Sequence, residues 1–260
     1  MDTKLILEYI CENWIIIASF FIIAILYSSV GFGGGSSYLA ILTLTPLLFT
    51  QIKTTALLCN IVVVLGNTIL YQKNKIIPWK KTIPIIISSL PLAFLGGFLR
   101  INETLFYIIL GITLLIAALI MFFSKKKNNT DPQENNLPIY KYVTYGSGIG
   151  FISGLVGIGG GIFLAPLLHF TKWSSSKKIA ATASVFILVN SIAGLLGQIA
   201  NSNFKIDNQL TPLLLITVFI GGKIGSNLSN NVLSSKQIKF ITAILIAIVG
   251  IRLLNKHILL

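Results

Sequence analysis

The chain has 260 residues, of which 54% are hydrophobic and only 10% charged, and its mean hydropathy is +0.86. Soluble domains carry roughly a quarter charged residues, so the composition excludes an ordinary globular fold and indicates an integral membrane protein. The net charge of +13 does not point to nucleic acid, because nearly all the lysines fall in short loops between apolar runs, which is the footprint of membrane orientation.

In chain order, the N-terminal stretch MDTKLILEYICEN is acidic and lacks a small-residue cleavage pattern, so the first apolar segment is expected to be retained. Ten apolar segments follow, at 14–30, 36–49, 54–71, 82–99, 104–123, 142–156, 162–170, 179–200, 210–228 and 239–254. A full span takes about 20 residues. The second and seventh segments are shorter and directly follow glycine clusters, so neither need cross the bilayer alone. The one long polar stretch, SKKKNNTDPQENNLPIYK at 124–141, reads as an exposed linker between a first membrane repeat, 1–123, and a second, 142–260. The two cysteines, Cys11 and Cys59, are far apart and suggest no disulfide framework.

Loop charge orients the segments. One set of loops holds Lys73, Lys75, Lys80 and Lys81, then Lys125, Lys126, Lys127 and Lys141, then Lys172, Lys177 and Lys178, then Lys236 and Lys239. The opposite set holds Lys4, Lys53, Arg100, Lys205, Arg252 and Lys256. The richer side is expected to be cytoplasmic, which leaves both termini external.

Val30-Gly31-Phe32-Gly33-Gly34-Gly35 matches Val156-Gly157-Ile158-Gly159-Gly160-Gly161 at an offset of 126, and Thr55-Ala56 matches Thr182-Ala183 at 127. Pro84 and Gly97 match Pro212 and Gly225 at 128. An ordered series with so little drift argues for duplication. Each copy has five segments, an odd number, so the second enters the membrane inverted. Inverted repeats with paired, glycine-interrupted segments are the pattern of secondary transporters, whose sites lie near the midplane. Glycine is a poor helix former. Here it would open the backbone inside the bilayer, which is tolerable only where that backbone is buried in protein or lines a cavity.

The helix starts after Gly33, Gly34 and Gly35 and after Gly159, Gly160 and Gly161 therefore read as anion sites, with uncapped amides and a positive dipole end. Ser36 and Ser37 add hydroxyls to the first copy alone. The competing reading is that these glycines merely let helices pack closely. Thr55 and Asn60 in one span, with Thr182, Ser184 and Asn190 in its counterpart, would bond either a solute or a neighbouring helix. Lys223, in FIGGKIGS, reads as an intramembrane charge that pairs with substrate or snorkels to the interface. No Asp or Glu falls within a span, which removes the usual proton relay, metal ligands and acid–base pair, so neither cofactor nor metal is expected.

At these motifs the sequence resembles the sulfite exporter TauE/SafE family of membrane transporters. The resemblance rests on GFGGGSS (31–37) with KTTALLCN (53–60), and on GLVGIGGGIFLAPLL (154–168) with AATAS (180–184) and Asn190. It covers essentially the whole chain and implies movement of sulfur-containing anions such as sulfite, sulfonates and related organic acids. One departure is that Ala165-Pro166 aligns with Leu39-Ala40, so the two short helices need not be equivalent.

The expectation is an all-α, multi-pass protein of the cell (inner) membrane, built as two inverted repeats and acting as a secondary transporter rather than an enzyme. Its partners would be a small anionic solute and the lipid bilayer, without nucleic acid; a homo-oligomer is compatible with the pattern and not specified by it. The rivals are a membrane scaffold or accessory subunit and, further off, an intramembrane enzyme using Cys59 or His169.

Overall fold

The structure, a computed structural model, describes residues 9–123, 137–202, 204–228 and 235–258. The expected linker therefore lies, as far as residue 136, outside the described residues. The described elements are helices: α1 (Trp14–Ser29), α2 (Gly35–Leu42), α3 (Phe49–Lys73), α4 (Trp79–Phe98), α5 (Glu103–Phe123), α6 (Ile139–Val156), α7 (Gly161–Phe170), α8 (Ser176–Ala200), α9 (Leu210–Asn227) and α10 (Ser235–Ile258). Among the described residues, α3, α4, α5, α8 and α9 are long and apolar enough to cross a bilayer, and the chain is a multi-pass membrane protein.

Helix is the form that satisfies the backbone within one segment in lipid. Ending a helix therefore requires a local device, and the stretch after α2 shows one. The apolar run 36–49 suggests helix throughout, but α2 stops at Leu42. Thr43 Oγ1 bonds back to the Ala40 carbonyl at 2.7 Å and Thr45 Oγ1 to Leu42 at 2.6 Å, and Pro46 has no amide to donate. The next helix begins at Phe49 rather than Thr54, which corrects the placement of Lys53: it lies inside α3, not in a loop.

Packing follows an exchange between the two halves of the chain. The first helix of each half packs against the fourth of the other, α1 on α9 and α6 on α4. Likewise α4 lies along α8 as α9 lies along α3, while α3 crosses α8 and α5 pairs with α10. Glycine permits the closest of these approaches. A β-carbon at Gly154 of α6 would collide with the Ala93 carbonyl of α4.

Polarity is arranged as a bilayer requires. Ile22, Ile87, Leu119, Ile216, Phe219 and Ile248 are exposed, whereas Thr54, Thr55, Asn60, Ser184, Asn190 and Ser191 are fully buried. The loop ends also assort. Arg100 donates from Nε to Asn201 Oδ1 at 2.9 Å, and Tyr107 stacks on His257 at 4.6 Å. The phenol of Tyr9 is pushed up by burial and then by the Asp207 and Glu12 carboxylates. At the other end Trp173 Nε1 donates to Tyr142 at 3.1 Å and Phe122 meets Phe240 at 5.7 Å. These groupings match the two opposite sets of loops expected from the alternation of the segments.

Candidate functional site

The two short helices are too short to cross alone. At 1.5 Å per residue α2 spans about 12 Å and α7 about 15 Å, against roughly 30 Å of hydrocarbon. Each is entered through a glycine in the left-handed region, Gly34 at φ 90° and Gly160 at φ 79°, a conformation costly for any residue with a β-carbon. Neither start has a side-chain cap. Among the described residues the amides of Gly35, Ser36, Gly161 and Ile162 have no backbone acceptor, as expected of the first turn of a helix.

The two breaks meet in the interior. A β-carbon on Gly35 would lie 2.6 Å from the Ile158 carbonyl oxygen, and one on Gly161 would lie 3.5 Å from Phe32 Cδ1. Asn60, in the middle of α3, joins them: its Nδ2 donates to the Ile158 carbonyl at 2.9 Å, and its amide abuts both Gly33 and Gly35. Three buried oxygens here lack a hydrogen-bond partner, Asn60 Oδ1, Ser153 Oγ and Ser191 Oγ. Gly159 approaches Ser191 and Gly160 approaches Ser153. Buried polar atoms are nearly always paired, so this group of orphans is unusual.

The other candidates spread outward from this centre. Ser36 and Ser37 are buried on the first turn of α2, and Ser37 Oγ shares a 2.8 Å bond with Tyr27. Thr55 bonds Thr211 across α3 and α9 at 2.9 Å, and Thr182 bonds Thr82 across α8 and α4 at 3.0 Å. Those two bonds follow the same exchange of halves as the helix packing. Ser184 donates to the Gly31 carbonyl and so ties α8 to the first break. Asn190 donates to Phe186 of its own helix at 2.8 Å, leaving Oδ1 unbonded. Lys223 is not gathered with them. It is exposed on α9, because Gly221, Gly222 and Gly225 face α1 and α3 and turn the lysine outward. Cys59 is fully buried in the apolar core.

A lysine that loop counting set aside belongs in the interior instead. Lys53 is 6% exposed, the only charged side chain among the described buried residues. It lines a cavity of about 170 Å³ with Thr50, Arg100, Gln198, Phe49 and Phe106 among its walls. The signal was available in KTTALLCN, where Lys53 directly precedes the threonine pair; hydropathy alone cut the span after it.

A family model described as sulfite exporter TauE/SafE matches residues 16–253. The chain is 35% identical over 240 residues to the "Probable membrane transporter protein y4hK" of Sinorhizobium fredii, covering 91% of this chain and 96% of that protein. It is 30% identical over 271 residues to a "Probable membrane transporter protein" of Methanocaldococcus jannaschii, covering 98% of this chain and all of that protein. A third so named, from Bacillus subtilis, is 24% identical over 259 residues, covering 89% and 93%. No solved structure matches the chain. A buried polar centre, an apolar exterior and a match running from α1 to α10 point the same way: the chain belongs to the sulfite exporter TauE/SafE family of membrane proteins.

Proposed function

We propose that the protein is a secondary transporter of small, sulfur-containing anions of the sulfite or sulfonate type, and that the solute passes the two glycine breaks. The observation that carries this reading is the meeting of two uncapped helix starts beside unpartnered buried oxygens, joined by Asn60. Helix N-termini favour negative charge, and polar groups at this depth in a bilayer are costly unless they serve a solute or a partner. The reading takes the halves as inverted repeats, supported by the exchanged helix pairs α1·α9 and α4·α6 and by the paired Thr55–Thr211 and Thr182–Thr82 bonds.

Gly33, Gly34, Gly35, Ser36, Gly159, Gly160, Gly161 and Asn60 form the centre of this route, with Thr55, Thr182, Ser184 and Asn190 holding the surrounding helices. Alternating access comes from movement of the exchanged units about the breaks. For export from a cell with a negative interior, the potential alone supplies about 2.3 kcal/mol per charge per 100 mV. No coupling carboxylate is then required. In this reading the inner membrane is the location and the lysine-rich loops face the cytoplasm.

Close packing alone accounts for Gly154 and Gly97, which lie in regular helix against neighbouring backbone, whereas Gly34 and Gly160, though also closely packed, lie outside helix at positive φ. The test is flux in proteoliposomes under an imposed potential, with sulfite, thiosulfate, sulfonates and sulfate. Potential-sensitive movement of one of these, abolished in folded Gly160→Val, is expected. Movement of none by folded protein, or equal flux in the variant, would overturn the reading.

A further inference from the structure

We propose a second anion site, a cationic vestibule at one end of the molecule whose floor is Lys53 and Gln198. It rests on the transport reading in one respect, in that it gives the route through the breaks its charged mouth. The site is separate from the breaks: Lys53 is the fifth residue of α3, about 6 Å along the helix from its start, while Asn60 at the centre lies about two turns further on.

The cavity of about 170 Å³ sets Thr50, Lys53, Arg100 and Gln198 among apolar walls of Phe49, Leu99, Ile101 and Phe106. Lys53 has three N–H groups and no acceptor, and among the described residues it has neither an ion pair nor a hydrogen bond. Its stem packs on Gly157, at the edge of the second break. Gln198 is 1% exposed; its Oε1 accepts from Thr54 at 2.9 Å, and its Nε2 has no partner. Arg100 is held in place by two bonds to Asn201, at 2.9 and 3.0 Å, which occupy two of its five donors. No carboxylate lines the cavity among the described residues. A buried ammonium without a counter-charge is costly, and the group that would relieve it is an anion entering from the Arg100 end. At about 10–15 Å³ of such volume per water-sized group, the space has room for a small oxyanion.

The other end of the molecule lacks this arrangement. By the offset that pairs Thr55 with Thr182, Lys53 corresponds to Ala180 and Gln198 to Tyr71. The vestibule is therefore one-sided, and an anion leaving by this mouth meets a different surface from one entering at the opposite end.

The test is equilibrium binding of radiolabelled sulfite to the purified full-length protein, with sulfite flux measured in parallel. Lys53→Met keeps the stem and removes the charge; at least about tenfold weaker binding is expected, from loss of a charged hydrogen bond. Gln198→Leu should also weaken binding, and Lys53→Arg should retain it, which separates charge from folding. Unaltered binding in both Lys53→Met and Gln198→Leu, or no binding by wild type, would overturn the vestibule. Flux that is indifferent to Lys53→Met would overturn it too while leaving transport standing. Lys53-dependent binding without any flux would keep the vestibule and defeat the transport reading.

Discussion

The break before α2 and the break before α7 share left-handed glycines at Gly31 and Gly34 and at Gly157 and Gly160, but Gly159 is left-handed where Gly33 is not, and their side chains differ. Gly34 and Gly160 hold φ of 90° and 79° ahead of uncapped helices of 8 and 10 residues. Around that common frame the chemistry diverges: Ser36 and Ser37 follow the first break and Ile162 and Phe163 the second. Asn60, reaching across to Ile158, is matched by Ile187, and Lys53 by Ala180. The left-handed entry glycine is what both halves share, while the buried polar side chains differ in kind: Lys53, Thr54, Thr55, Asn60 and Asn67 on α3 against Thr182, Ser184, Asn190, Ser191 and Gln198 on α8.

The largest expected effect separates a packing glycine from one in open space. Gly154→Leu drives a side chain into the Ala93 backbone and should destabilise by more than about 3 kcal/mol, read as loss of the monodisperse protein or of its melting transition. The same change at Gly148, which has open space around it, should leave both unchanged. Equal behaviour of the two would show that the α4–α6 contact is not as close as described.

Next come the breaks. Gly34→Ala and Gly160→Ala each place a β-carbon at positive φ, a strain of about 1–2 kcal/mol, against Ile23 and Tyr38 in one case and Phe186 and Ile149 in the other. Both should stay folded with melting temperatures a few degrees lower, and similar losses at the two positions would mark the frame as shared. A loss confined to one would break that equivalence.

A smaller effect distinguishes the paired threonines. Thr55→Val strips Thr211 of its bond, whereas Thr182→Val leaves Thr82 still bonded to the Pro78 carbonyl at 3.1 Å. Interhelical bonds in membranes average about 0.6 kcal/mol, so thermal unfolding should show Thr55→Val as the more costly, by a few tenths to about 1 kcal/mol. The reverse order would contradict the bonding described. Lys223→Gln, on the exposed face of α9, should be smallest of all, with unchanged sulfite flux; a clear loss there would bring Lys223 back into the route.

Much of the architecture was legible in the residues. The glycine clusters marked both short helices, and the alternation of segments grouped loops that do meet, as Arg100 meets Asn201. What hydropathy could not show was where polar residues turn inward. Lys53 borders an apolar run and Lys223 lies within one, but helix rotation decides which is buried, and that is set by Gly221, Gly222 and Gly225 on one helix and by Gly157 against the other. The end of α2 was hidden for a related reason, since Thr43 and Thr45 satisfy the backbone through their own hydroxyls in an otherwise apolar run. Gln198 stood near a span end in the sequence and became a cavity wall only through its bond to Thr54 on a distant segment.

The most direct measurement of the central claim is potential-driven sulfite flux in proteoliposomes for wild type, Gly34→Ala, Gly160→Ala and Gly148→Ala at matched protein content. The account predicts robust flux from wild type and Gly148→Ala and at least about tenfold less from both break variants. Equal flux from all four, or flux from none of them with folded protein, would contradict it.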